Sequence, residues 1–391
     1  MTYRLSLQIT IELLHHYEDL PDTPNTGRVT HRDLQPIDQP GRRKSTMTQP
    51  SLNKSFDTSL IDLSPTPAQT SFSTTDSAPS DDYKQATVPA PMSTSAPKFE
   101  EASTTGRKIP TRYVPTVDAY DAWAEVYDSD GNILQAIDDY ELGAGGHLLS
   151  TFIDLSTSLA RREFATAQIH FADLGCGTGR NTIALMKSND YPPDSSLKIT
   201  AIDASAGMLA KARQKIDAAY AEMEDWRQCV FRGVYTVQHD FLDPRDATKA
   251  PMHLRENKTF SAIISTLVLE HFPAHTFFAV LSSLLRPGGL VLLTDMHADM
   301  GSRSQAGFVS QDEETGEAIK VRGTSWVHTV EETVSEAKKA GFEVVGDVRE
   351  RAITEDLIEK GVVGERAKKW IGTNVWYGMI LRKEGEVQQL V

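Results

Sequence analysis

The sequence predicts an α/β protein built on a doubly wound, mostly parallel sheet and preceded by a long disordered N-terminal tail. Three observations carry this. An apolar run, Ile169 to Ala172, ends on Asp173, turns through Gly175, Gly177 and Gly179, and leads into Asn181 to Met186, which reads as a helix. Further apolar runs ending in acidic residues follow in order, at the spacing of successive βα units. From about Asp22 to about Lys108, Ser, Thr and Pro dominate, as in Thr66-Pro67-Ala68-Gln69-Thr70-Ser71. Apolar residues there are too sparse to offset the entropy of ordering the backbone. Residues 1–110 therefore read as a tail and 111–391 as the folded domain.

The elements are justified in chain order. Tyr120, Trp123 and Tyr127 stand at helical spacing and predict an aromatic helix stripe. Leu142-Gly143-Ala144-Gly145-Gly146-His147 has the glycines of a phosphate cradle but no following Lys, and reads as a flexible hinge. The strand over 169–172 and its glycine turn form a ligand crevice at the carboxyl edge of a parallel sheet. Glycine permits positive φ and close backbone approach, and the helix start offers free N–H groups and partial positive charge. Leu197 to Asp203 is a second strand, with its carboxylate where two ribose hydroxyls can donate to it. Val234 to Phe241 is a third, ending in Asp240-Phe241, and Phe260 to Phe272 is a fourth with its outgoing turn.

Arg286-Pro287-Gly288-Gly289 reads as the end of a helix and the reversal into a fifth strand, Leu290 to Asp295. Beyond it, Ala306 to Val309 and Ile319 to Val321 are the expected arms of a β-hairpin. Thr329-Val330-Glu331-Glu332 fits a capping box, and Gly341 closes that helix. Phe342 to Val345 and Val375 to Leu381 complete the strands.

The turn spacing is G-x-G-x-G, not the G-x-G-x-x-G of a dinucleotide site, which sets a dehydrogenase aside. An anion at Asp173 suits a ligand with an ammonium or sulfonium, and the glycine turn suits its carboxylate. These segments together resemble the class I S-adenosylmethionine-dependent methyltransferases, the first of them looking like that family's motif I. The resemblance implies a seven-stranded Rossmann-like sheet and S-adenosyl-L-methionine as cofactor. It implies cofactor contacts from Asp173, Gly175, Cys176, Gly177, Thr178, Gly179 and Arg180 in the turn. Further contacts are implied from Asp203, Ala204 and Met208, from Asp240 and Phe241 at the adenine, and from Thr266 and Leu267 after the fourth strand. It also implies N-terminal lid helices over 111–165, with Tyr120, Trp123 and Tyr127 above the cofactor, and a hairpin insertion, 296–328, above the acceptor.

Methyl transfer from a sulfonium is an in-line displacement, so alignment and exclusion of water matter most. A hydroxyl acceptor also needs a base, and His271, His297 and His328 are the candidates. His297 between Asp295 and Asp299 reads as a surface cluster, and no metal is expected. Ser265-Thr266-Leu267-Val268 replaces the Asn-Pro-Pro-Tyr-like stretch of enzymes that act on nucleobase or glutamine amides. With a formal charge of −14, that points away from nucleic acid and towards a small-molecule acceptor. A protein side chain is the alternative acceptor. A catalytically silent scaffold is the other reading, disfavoured by the intact Gly175, Gly177, Gly179, Asp203 and Asp240.

The two cysteines, Cys176 and Cys229, have no metal-like spacing and suggest a reducing, cytoplasmic or nuclear setting. No apolar run reaches the ~18 residues of a membrane span.

Overall fold

The computed structural model describes residues 109–163, 168–224, 230–243, 260–312 and 314–385. The predicted tail lies outside the described residues, apart from its last two positions.

The strands of the main sheet are β2 (Gln168–Leu174), β3 (Ser196–Asp203), β4 (Phe231–Gln238), β5 (Phe260–Thr266), β6 (Leu285–Met296), β9 (Phe342–Ala352) and β10 (Asn374–Lys383). They form a 7-stranded sheet in the order β4-β3-β2-β5-β6-β10-β9. β4, β3, β2, β5 and β6 run parallel, while β10 pairs antiparallel with both β6 and β9. Strand order reverses between β2 and β5, and a doubly wound sheet opens its ligand crevice at such a point.

The central strands are buried on both faces, which explains their nearly continuous apolar runs. Alternate residues feed two cores. Ile169, Phe171, Ile264 and Leu292 join the face covered by α2 (Ile133–Leu142), α3 (Leu148–Glu163), α4 (Arg180–Lys187) and α5 (Ala206–Ala221). Ala172, Leu174, Ile263 and Leu293 join the face covered by α6 (Ala274–Leu284) and α8 (Val330–Lys339). Thr329 caps α8 by accepting from the Glu332 amide at 3.1 Å, as its capping-box pattern predicts. Among the described residues no helix is long and apolar enough to cross a membrane.

A smaller sheet stands beside the crevice. Its strands are β1 (Thr111–Tyr113), β7 (Phe308–Gln311) and β8 (Ala318–Arg322), in the order β1-β8-β7. The predicted hairpin is therefore present as β7 and β8, and β1 adds to it in parallel. A three-residue strand has no readable alternation, so β1 is silent in the sequence. α1 (Thr116–Trp123) follows β1 directly, and a 3-10 turn begins at Tyr127.

Two expectations need correction. The segment 111–165 is not all lid, because Ile137 of α2 and Phe152 and Ile153 of α3 are fully buried against the sheet. The Arg286–Gly289 segment does not end a helix either. α6 stops at Leu284, Leu285 already pairs with Phe260, and the ladder resumes only at Leu290 opposite Ala262. The four residues bulge out of β6, with Gly288 at φ +75°. Gly289 sits where a Cβ would lie 2.8 Å from the Ser261 carbonyl.

Candidate active site

The carboxyl ends of β2, β3, β4 and β5 border a cavity of about 380 Å³, within the range usual for small-molecule sites. Its floor is the glycine turn, stitched to the end of β3. The amides of Gly175 and Cys176 donate to the Ile202 carbonyl at 2.8 and 3.0 Å. The Gly177 amide donates to Asp203 Oδ2, and the Ser205 amide to Oδ1, both at 2.8 Å. Burial raises the Asp203 carboxyl, and these amides oppose the shift. Ser205 also caps α5 by accepting from the Met208 amide.

The turn uses glycine for different reasons at different positions. Gly175 and Gly177 both have positive φ, +71° and +53°. A Cβ on Gly175 would fall 2.3 Å from Val268 Cγ2, so glycine is needed for packing between the exits of β2 and β5. A Cβ on Gly177 would meet nothing nearer than the Tyr127 ring at 3.9 Å. The space it would occupy belongs to the cavity.

Past β4, Asp240 and Phe241 form one wall, with Asp240 Oδ1 accepting from the Leu242 amide at 2.8 Å. Past β5, Thr266 and Leu267 form another, and Leu267 takes a left-handed conformation at φ 58°. The roof is α1. Tyr120 and Tyr127 reach the cavity. Asp121 holds α1 to α5 by accepting from Ser205 Oγ and from the Gly207 amide.

His271 joins roof to wall. Its Nδ1 lies 3.0 Å from the Thr324 carbonyl and its Nε2 lies 2.7 Å from the Tyr120 hydroxyl. A carbonyl can only accept, so Nδ1 carries the proton, and Nε2 offers its lone pair to the Tyr120 O–H. Burial pushes the Tyr120 phenol up, keeping it a donor. Tyr127 is pushed up to about 12 by the same cause.

The structure thus brings Gly175, Gly177, Asp203, Ala204, Asp240, Phe241, Thr266, Leu267, Tyr120, Tyr127 and His271 to one cavity. It takes other predicted residues away from that wall. Asp173 is buried beneath the turn, accepting from the Thr182 hydroxyl at 2.6 Å, and burial pushes its carboxyl up to about 6. Cys176 packs in the core, as its small side chain suggests, with burial raising its thiol. Thr178 donates to Asp128 at 2.6 Å, and Gly179 supplies the left-handed N-cap of α4. Arg180 is held by Asp138 and Asp139, each at 2.6 Å, which leaves its charge compensated. Met208 is fully buried beneath α1. Trp123 turns from the cavity, donates to Asp130 at 2.8 Å and stacks on Phe308 of the hairpin.

Two of the three candidate bases also lie elsewhere. His297 caps α7 (Ala298–Gly301) through the Asp299 amide, and its Nε2 faces Glu350 at 2.9 Å. His328 donates from Nε2 to the Phe272 carbonyl at 2.9 Å. Sequence reasoning missed Ser205, Thr324 and Glu270. A serine, a threonine carbonyl and an acid inside an apolar run carry no signal until the fold brings them together.

Comparison with known proteins identifies the family. Residues 154–346 match a family model described as a methyltransferase domain. A protein of Emericella nidulans, named as an uncharacterized methyltransferase, is 41% identical over 278 residues, covering 68% of this chain and 90% of its own length. Solved structures are more distant. A methyltransferase dependent on S-adenosylmethionine from Clostridium acetobutylicum gives a TM-score of 0.40 at 14% identity, covering 68% of this chain and 99% of its own. One from Mesorhizobium loti gives 0.36 at 18% identity, covering 59% and 98%.

The sheet, its crevice and the fungal relative define an α/β transferase of the Rossmann-like type. The chain belongs to the class I S-adenosylmethionine-dependent methyltransferases. S-adenosylmethionine is therefore the cofactor, and the cavity suits it: the glycine turn leaves room for close approach, and the carboxylates of Asp203 and Asp240 can accept from hydroxyl and amino groups.

Proposed function

We propose that this methyltransferase acts on a small-molecule acceptor bound under the α1 roof. The observation that carries the reading is the cavity itself. It is about 380 Å³ and is bordered above by Tyr120 and Tyr127, dimensions that suit a small molecule. The open space at the glycine turn would admit the amino-acid end of the cofactor, with Asp203 at its ribose and Asp240 with Phe241 at its adenine. When bound, the sulfonium supplies an electrophilic methyl group and leaves as a neutral thioether.

The protein's part is to align and to exclude water. Tyr120, Tyr127, Leu267 and Val268 keep the reacting end apolar. His271 takes the acceptor's proton through the Tyr120 hydroxyl that donates to its Nε2, with the Thr324 carbonyl holding the tautomer that lets Nε2 accept. The buried free thiol of Cys176 fits the expected reducing compartment, cytoplasmic or nuclear.

The test is incubation of the full chain with a metabolite extract and methyl-labelled S-adenosylmethionine, with products read by mass spectrometry. Label in a small molecule supports the reading. Label only in protein, or none, refutes it. In parallel, Asp203→Ala should weaken cofactor binding by at least about tenfold in calorimetry, since it removes a charged hydrogen-bond acceptor.

A further inference from the structure

Beside the main cavity lies a recess of about 20 Å³, enough for one water-sized group. It shares Tyr120, Tyr127 and Leu267 with the cavity, and its other walls include Trp123, Met296 and Glu270. The three rings on its wall pack against one another, with centroids 5.6 Å apart for Tyr120 and Trp123, and 5.1 Å apart for Trp123 and Tyr127.

Glu270 is 3% exposed, and among the described residues its carboxylate receives one hydrogen bond, from Ser325 Oγ at 3.3 Å. Its backbone amide donates to the carboxylate of Asp295, which is 1% exposed. Asp295 Oδ1 is buried without a partner. Among the described residues neither carboxylate is paired with Lys or Arg. Burial raises both groups, and their mutual repulsion adds to the shift of Asp295. Two buried carboxylates without a cation are costly, and the cost falls when a positive charge arrives.

We propose that the acceptor is an amine, whose ammonium head enters this recess between Glu270 and the rings of Tyr120, Trp123 and Tyr127. The proposal rests on the methyltransferase reading above and names its acceptor class. An ammonium matches a water-sized site lined by aromatic rings and a buried carboxylate, through charge attraction. A neutral hydroxyl would offer Glu270 no charge to pair with.

Tyr120 borders both the recess and the cavity, and so links the amine to the base. The ammonium donates a proton to the Tyr120 oxygen while Tyr120 passes its own proton to His271 Nε2. The nitrogen lone pair so released forms the new N–C bond as the C–S bond breaks, with that electron pair leaving on sulfur. The proton on His271 goes to solvent when product departs.

Benzylamine and benzyl alcohol have the same shape and differ in the charge of the head, so they are the probes. Their binding to the full chain, loaded with S-adenosylhomocysteine, is measured by ligand-observed NMR. Benzylamine should bind at least about tenfold tighter, the usual margin for one charged hydrogen bond. In Glu270→Gln, which keeps the Ser325 contact and removes the charge, the preference should shrink to within about twofold. Equal binding of the two probes, no binding by benzylamine, or a preference unchanged in the variant overturns the proposal. Should the variant fail to fold, the wild-type comparison decides alone. Calorimetry with S-adenosylmethionine on the same wild-type sample separates the two levels. If the cofactor binds and the probes are not distinguished, only the amine assignment falls. If the cofactor does not bind, the underlying reading falls with it.

Discussion

Replacing Gly175 and Gly177 separately by Ala should give two different failures. Both residues have left-handed backbone, which costs an L-residue roughly 1–2 kcal/mol. For Gly177 that is the whole stability cost, since a Cβ there meets nothing closer than 3.9 Å. For Gly175 the methyl would lie 2.3 Å from Val268 Cγ2. Val268 is β-branched and stiff at χ1, so it cannot turn aside freely, and overpacking adds about 1–3 kcal/mol. At about 2–4 °C per kcal/mol for a domain of this size, Gly177→Ala should lower Tm by about 4 °C and Gly175→Ala by about 10 °C.

The order reverses when cofactor is added. At a hundredfold excess over Kd, a ligand stabilises its protein by about 2.7 kcal/mol, so wild type should gain roughly 8 °C. Gly177→Ala fills cavity space and should lose most of that gain. Calorimetric scans with and without S-adenosylmethionine measure all of this. The reasoning fails if Gly177→Ala melts as low as Gly175→Ala, or keeps the wild-type gain.

Four further outcomes are expected. Asp173, with its carboxyl pushed up to about 6 by burial, contributes stability that is full below pH 4 and is lost as pH rises through 6. Relative to Asp173→Asn, wild type should therefore weaken across that window by up to about 3 kcal/mol, read by urea denaturation at pH 4 and pH 7. His271→Ala should lower turnover of the acceptor found in extract by at least about a hundredfold, the usual scale of general base catalysis. His297→Ala and His328→Ala should leave that turnover within about twofold while costing about 1 kcal/mol of stability each, since their hydrogen bonds are structural. Trp123→Phe deprives the buried Asp130 of its indole donor and should cost about 1–3 kcal/mol in the same denaturation assay.

The parallel core of this protein is readable from sequence because its strands are apolar on both faces and end on acids or glycine turns. The glycine turn, Asp203 and Asp240 stand at fixed offsets from those strands, so their place in the cavity could be named in advance. Other positions depend on contacts between distant segments. Nothing local reveals that Trp123 turns to Phe308 while Tyr120, one helical turn earlier, meets a histidine 151 positions on. Arg180 sits at the mouth of the turn, and its role is decided by Asp138 and Asp139 about 40 residues earlier. The three histidines follow similar local patterns, and only the partners of their ring nitrogens set His271, at the cavity, apart from the helix cap His297 and the buried His328.

The roof helix is fastened at both ends. β1, immediately before it, is laddered to β8, and Trp123, at its close, lies flat on Phe308 of β7. Helix and small sheet share one apolar cluster, in which Ala119, Trp123, Phe308, Ile319 and Val321 take part. A helix secured in this way does not swing alone like a flap. Helix and small sheet therefore form one packed unit, and a change at the β1–β8 seam, which ends two residues short of the cavity-lining Pro115 and Thr324, reaches the roof of the cavity directly.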